Sequence, residues 1–269
     1  MRKFIIFVIA AIILMPWISG TQAAHAAVSS RWLDLANIDK GAVRIQYDVN
    51  PDLKTKLLIV KGKEQYTYNL IAGSKDNAFS LQLGNGDYTI SLLEQTNGNK
   101  YRLVHKETVK LDLEDSSVVF LNSIQNVSWN DSNKAVLKAK ELTQNKTTDA
   151  DKVKAIYDYV INNIKYDHQL AVQSPTDYIP RIDRTLDTKK DICYGYSTLF
   201  AAMLRSVDIP AKLVMGNTDY VSTYHAWNEV YLDGSWVIID TTVDSGWNGT
   251  TTAFEMIKED SKYSPSRQY

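Results

Sequence analysis

The chain has 269 residues, 44% of them hydrophobic and 23% charged, with six prolines, which describes a folded globular protein of a length that suits two modest domains. A formal net charge of −1 and the absence of any Lys/Arg run exclude the basic footprint of a nucleic-acid binder. The sequence also lacks a Walker loop, a dinucleotide-binding glycine fingerprint, a CxxC pair and an HExxH helix, so nucleotide, redox-dithiol and zinc-protease chemistry find no support.

At the start of the chain, Arg2-Lys3 precedes the apolar run Phe4 to Met15, and Ala24-His25-Ala26 fits a small-residue cleavage site. Residues 1–26 therefore read as a secretory signal peptide. The apolar run is short against the roughly 20 residues of a membrane span, and no stable membrane insertion is expected after cleavage. Cleavage removes Arg2 and Lys3 and no acid, taking the formal charge from −1 to −3. The expected location is extracellular, secreted or associated with the cell surface or cell wall.

Residues 27–127 read as one domain, with strands from about 38 to 122. Val43 to Tyr47 and Phe79 to Leu83 alternate apolar with polar, Leu57 to Val60 is a short buried-strand run, and Val118 to Leu121 reads as a last strand. Gly84-Asn85-Gly86-Asp87 and Thr96-Asn97-Gly98-Asn99 carry turn chemistry, the first read as a hairpin turn. Short strands at this spacing predict an antiparallel, sandwich-like accessory domain. His105 stands alone in the charged strand Tyr101 to Lys110 and reads as a surface residue.

Beyond the polar stretch Ser128 to Asn133 the periodicity becomes helical, and residues 128–269 read as a second, α+β domain. Lys134 to Leu142 and Asp149 to Ile164 are predicted helices, the second with Val153, Ile156, Tyr157, Val160, Ile161 and Ile164 on one face. Residues 167–191 are polar, contain Pro175 and Pro180, and read as a long functional loop. That loop leads to Cys193, the sole cysteine, which can form no intramolecular disulfide. The count alone leaves an inert buried thiol and a reactive one equally good readings. Leu199, Phe200, Met203, Leu204 and Val207 then fall at helical spacing and place Cys193 at a helix N-terminus. Unpaired N–H groups there favour a thiolate and can donate to an oxyanion.

Downstream, Tyr224 to Leu232 and Ser235 to Thr241 read as strands joined by Asp233-Gly234, a two-residue hairpin signal. If those two residues form the turn, Leu232 faces Ser235 and, counting back, Asp240 faces Trp227. His225, two residues from Trp227, then projects from the same face as Asp240, within reach of its carboxylate. A carboxylate orienting an imidazole that activates a thiol is the logic of nucleophilic catalysis.

These residues also carry a resemblance. Cys193-Tyr-Gly-Tyr-Ser-Thr-Leu-Phe-Ala-Ala-Met-Leu-Arg with Asp208-Ile209-Pro210-Ala211, Tyr224-His225-Ala226-Trp227-Asn228-Glu229-Val230, and Trp236-Val237-Ile238-Ile239-Asp240-Thr241 resemble the transglutaminase-like superfamily, as does the helix and turn from Ile156 to Asp167. The resemblance covers about residues 149–247 and implies a papain-like α+β domain of a secreted bacterial member, with a helix-borne Cys193 as nucleophile and His225 and Asp240, on a β-hairpin, as base/acid and orienting carboxylate. Where the family commonly has glycine after the cysteine helix, this chain has Asp208, which tolerates left-handed backbone. Related enzymes add a Trp or Gln side chain to the oxyanion site; none aligns here, and Tyr166 and Trp227 are the candidates for an oxyanion or substrate contact, Tyr166 reading more readily as a packed helix-end tyrosine. No EF-hand-type ligand spacing is present, so neither metal nor other cofactor is expected. The implied activity is acyl transfer from amide bonds of proteins or peptides through a Cys193 thioester, with an amine or water as acceptor. Cell-wall peptide is one candidate substrate. The alternative is a catalytically silent binding or adhesion module at the cell surface.

Overall fold

The computed structural model describes residues 32–74 and 77–269; the expected signal peptide lies outside them. The first half contains β1 (Leu33–Asp34), β2 (Ala42–Ile45), β3 (Thr55–Lys61), β4 (Glu64–Leu70), β5 (Ala78–Ser80), β6 (Gly86–Asn97) and β7 (Lys100–Leu111). They form two antiparallel sheets, β1-β2-β5 and β4-β3-β6-β7. Alternation does the work. Leu57 and Ile59 of β3, Tyr66 and Tyr68 of β4, and Tyr88, Ile90 and Leu92 of β6 all point into one core shared with Leu33, Val43, Ile45 and Phe79 of the smaller sheet.

Three expectations for this half change. Val118 to Leu121 is not a strand but part of a 3₁₀ helix, Ser116–Leu121, started by the Asp115 carboxylate, which accepts from the Ser117 N–H at 2.8 Å. Gly84 to Gly86 carries the chain from β5 to β6, from one sheet to the other, so it is a crossing and not a hairpin turn. His105 is half-buried and stacks on Trp32, ring centroids 5.3 Å apart, with Tyr47 edge-on at 6.0 Å.

The second half runs α1 (Lys134–Thr143), α2 (Asp149–Asn163), β8 (Lys165–Tyr166), α3 (His168–Gln173), α4 (Ile182–Thr188), β9 (Lys190–Asp191), α5 (Cys193–Arg205), β10 (Ala211–Thr218), β11 (Val221–Leu232), β12 (Ser235–Ile239), α6 (Thr241–Trp247), β13 (Ile257–Lys258) and β14 (Tyr263–Gln268). Helix α5 is buried from Gly195 to Arg205 and packs on an antiparallel sheet of order β13-β12-β11-β10-β14. The segment read as a long loop is instead structured. Asp167 caps α3 by accepting from the Leu170 N–H, and β8 and β9 pair in parallel, Tyr166 beside Asp191, closing the excursion just before Cys193.

The β11–β12 hairpin has the expected register, Leu232 opposite Ser235 and Asn228 opposite Ile239. Asp233 and Gly234 both have positive φ, 50° and 82°, the combination that a two-residue primed turn requires. Asp208, after α5, likewise sits at φ 65°. Strand β12, however, stops at Ile239. Asp240 lies one residue beyond it as the N-cap of α6, because its short carboxylate can satisfy the free N–H groups of a helix start.

Candidate active site

Cys193 is the first residue of α5 and is half-buried. The N–H groups of that first turn have no partner within the helix. Immediately before it, Asp191 is fully buried. Its carboxylate accepts from Tyr178 Oη at 2.8 Å, Thr185 Oγ1 at 2.7 Å, the Ile192 N–H at 2.8 Å and Arg184 at 3.3 Å. This network ties α4 to the base of α5 and fixes the entry of the chain into the cysteine helix. Gly195 leaves room for it: a Cβ there would fall 2.0 Å from the Asp191 carboxyl carbon. Nothing in the sequence beyond Asp191's nearness to Cys193 announces this cluster.

His225 lies on β11 opposite Gly216 of β10. Farther along β11, the fully buried Asn228 donates from Nδ2 to Ser197 O of α5 at 3.0 Å and Lys212 O of β10 at 2.9 Å, holding the cysteine helix against the histidine strand. The imidazole is 4% exposed, and its Nε2 lies 2.8 Å from Asp240 Oδ2. A carboxylate can only accept, so Nε2–H donates and Nδ1 is the nitrogen left for the Cys193 thiol, which is near enough to act on the ring's charge. Burial works against a charged imidazole here, but the hydrogen bonds and charges of Asp240 and Cys193 outweigh it and hold the imidazolium up to about 10.

Asp240 is fully buried and has four donors. Oδ1 accepts from the Thr242 and Val243 N–H groups at 3.1 Å each, and Oδ2 from His225 and from Tyr263 Oη at 3.0 Å. Tyr263 carries no sequence signal, arriving from the start of β14.

Trp227 is fully buried, its ring centroid 6.4 Å from His225 and 4.9 Å from Tyr263, so it packs beside the imidazole. Tyr166 is 39% exposed beside β9, close enough for the charge of Cys193 to act on it, and burial with that charge pushes its phenol up. His168 is exposed with its ring edge-on to Tyr166.

Residues 138–241 match the family model described as the transglutaminase-like superfamily. That stretch belongs to the transglutaminase-like superfamily. Among curated proteins the chain is 32% identical over 123 residues to the kyphoscoliosis peptidase of Mus musculus, covering 42% of this chain and 18% of that protein. It is 27% identical over 199 residues to the uncharacterized protein YebA of Bacillus subtilis, covering 67% of this chain and 26% of that one. The chain thus spans about a quarter or less of these relatives' lengths. Among solved structures it is similar to the periplasmic domain of TgpA from Pseudomonas aeruginosa, at 15% identity and TM-score 0.38 over 76% of this chain and 87% of that one. A crystal structure of a TGase matches at 27% identity and TM-score 0.34, over 49% of this chain and 34% of that one.

Proposed function

We propose that this protein is a secreted thiol acyl-transfer enzyme acting on amide bonds of proteins or peptides, with Cys193 as nucleophile, His225 as base and acid and Asp240 as the carboxylate that orients the imidazole. The observation that carries the reading is the buried His225–Asp240 hydrogen bond set beside a cysteine at a helix start. The Cys193 thiolate attacks the amide carbonyl carbon, and the oxygen takes the negative charge, opposite the free N–H groups of the α5 first turn. The Tyr166 hydroxyl is the proposed second donor. Collapse breaks the C–N bond, the imidazolium gives its proton to the leaving amine, and a thioester remains. Water or an amine, deprotonated by His225, then attacks the thioester and releases the thiolate. Similarity to a peptidase supports water as acceptor. The strand-rich half is proposed as an accessory domain, and cell-wall peptide as a substrate.

The test is incubation of the protein with cell-wall peptides and a labelled amine, with products read by mass spectrometry. Hydrolysed peptide identifies water as the acceptor and amine-tagged peptide a transglutaminase. Cys193→Ala is expected to abolish any such turnover, and Asp240→Asn to lower kcat by up to about 10⁴-fold through the wrong imidazole tautomer. Activity retained in Cys193→Ala would end the thiol mechanism. A wild-type thiol that fails to react with dilute iodoacetamide at pH 6 would favour the silent binding module.

A further inference from the structure

Asp240 Oδ2 has two lone pairs in the carboxylate plane, and two donors occupy them: His225 Nε2–H at 2.8 Å and Tyr263 Oη–H at 3.0 Å. Oδ1 is saturated by two backbone N–H groups. Backbone donors alone would hold the carboxylate at the start of α6, but they leave free how strongly Oδ2 draws on the imidazole proton. That property is set by what else Oδ2 accepts. Tyr263 is 6% exposed, wedged between Trp227 and Tyr220 with ring centroids 4.9 and 5.7 Å away, and comes from a strand that contributes nothing else to the site. Packing alone would be served equally by phenylalanine; the hydroxyl is aimed at one atom.

We infer that Tyr263 is a positioning residue of the reaction centre, whose hydroxyl shares Asp240 Oδ2 with His225 and so limits how tightly the carboxylate holds the imidazolium. The inference rests on the proposed role of the Cys193–His225–Asp240 group. An imidazolium held too tightly is a poor acid, slow to give its proton to the leaving amine. Withdrawing one donor from a dry carboxylate concentrates its charge on the remaining one, so loss of the hydroxyl makes His225 more basic. The charged and titratable groups around Tyr263 are Asp240 and Asp244 from α6, His225 from β11, Tyr220 from the β10–β11 turn and, through Asp244, Lys258. All of them remain in a Tyr263→Phe variant.

The experiment follows the His225 imidazole by NMR titration in the intact protein, beside the alkaline limb of kcat/KM on whatever amide substrate the wild type turns over. Tyr263→Phe is expected to raise the His225 midpoint and the alkaline limb together by about 0.5–1 pH unit, the size of one charge-assisted hydrogen bond partly replaced by the others. It should lower kcat about tenfold with KM unchanged. Replacing Tyr263 by a fluorotyrosine, which keeps the bond and strengthens the donor, is expected to move the midpoint the other way, and it guards against a phenylalanine variant that misfolds. A His225 midpoint identical in all three proteins, or shifts of the same sign in both variants, would overturn the inference. The proposed function fails separately, if Cys193 of the wild type is inert to iodoacetamide, because the imidazole titration needs no turnover.

Discussion

His225 gives a pH signature that needs no substrate. Its imidazolium is held up to about 10 in the folded protein against an ordinary 6.5, so the folded state binds the proton more tightly than the unfolded chain does. The resulting stability is complete below pH 6.5 and is lost as pH rises through about 10. His225→Gln should therefore be less stable than the wild type at pH 6, on the order of 3 kcal/mol for breaking a buried charged pair. The gap should narrow steadily toward pH 10.5, as read by urea denaturation at each pH. A gap that stays constant would mean that His225 contributes packing alone. At this scale the sequence exposed the residues whose chemistry is rare or whose place follows from a turn: one cysteine in the chain, and a histidine and an aspartate located by counting back from Asp233-Gly234. Tyr263 stayed hidden because it is 1 of 16 tyrosines and reaches Asp240 from a separate strand.

Elements were legible where a repeat declared them and illegible where a single side chain ended or began them. The stripe from Val153 to Ile161, the alternation that runs into β2 and the short apolar run in β3 needed no structure. Asp240, in contrast, closes the run Val237-Ile238-Ile239 and opens a helix, and only its capping bonds reveal the change. Asp115 and Asp167 likewise start a 3₁₀ helix and α3 where a strand and a loop were expected. Within α5 the same reasoning makes Gly195 informative. Glycine inside a helix costs about 1 kcal/mol relative to alanine, so Gly195→Ala would ordinarily stabilise. Here the added methyl would sit 2.0 Å from the Asp191 carboxyl carbon and within 2.4 Å of both its oxygens. Forcing a buried carboxylate off Tyr178, Thr185 and the Ile192 N–H should outweigh the propensity gain. Net destabilisation of about 2 kcal/mol is expected, along with slower alkylation of Cys193 as its helix entry shifts. Thermal melts and iodoacetamide kinetics measure both, and a variant as stable as the wild type would show that the Asp191 cluster yields easily.

Across the whole molecule, the two halves meet along the final strand. Beyond Tyr263, β14 pairs with β10, and Leu213 exchanges both backbone hydrogen bonds with Tyr269 at 2.9 and 2.8 Å. The Tyr269 ring enters the core of the strand-rich half, edge-on to Tyr66 and Tyr68 at 5.6 and 6.2 Å. Arg267 lies over the Tyr66 ring at 5.0 Å and donates to Gln65 O, while Gln268 bonds Tyr66 Oη and Gln82 O. Beneath this seam the buried Arg205 donates to Asn122 O, Ala211 O and Tyr269 O, and burial draws its guanidinium down to about 9. A segment with proline, serine and arginine in six residues has no strand periodicity, which is why its reach into the first half is invisible in the sequence. The seam implies coupled unfolding. The intact chain is expected to melt in one calorimetric transition, whereas deletion of Ser264 to Tyr269, which spares Tyr263, removes an aromatic anchor worth roughly 2–4 kcal/mol and the ladder to β10. The two cores should then melt separately, with the helical half, left with an open β10 edge and an Arg205 short of one acceptor, melting first. Tyr269→Ala alone should lower the single transition without splitting it, because the β10 ladder persists. If the deleted chain still melts once, at the wild-type temperature, the halves are held together by contacts other than this strand.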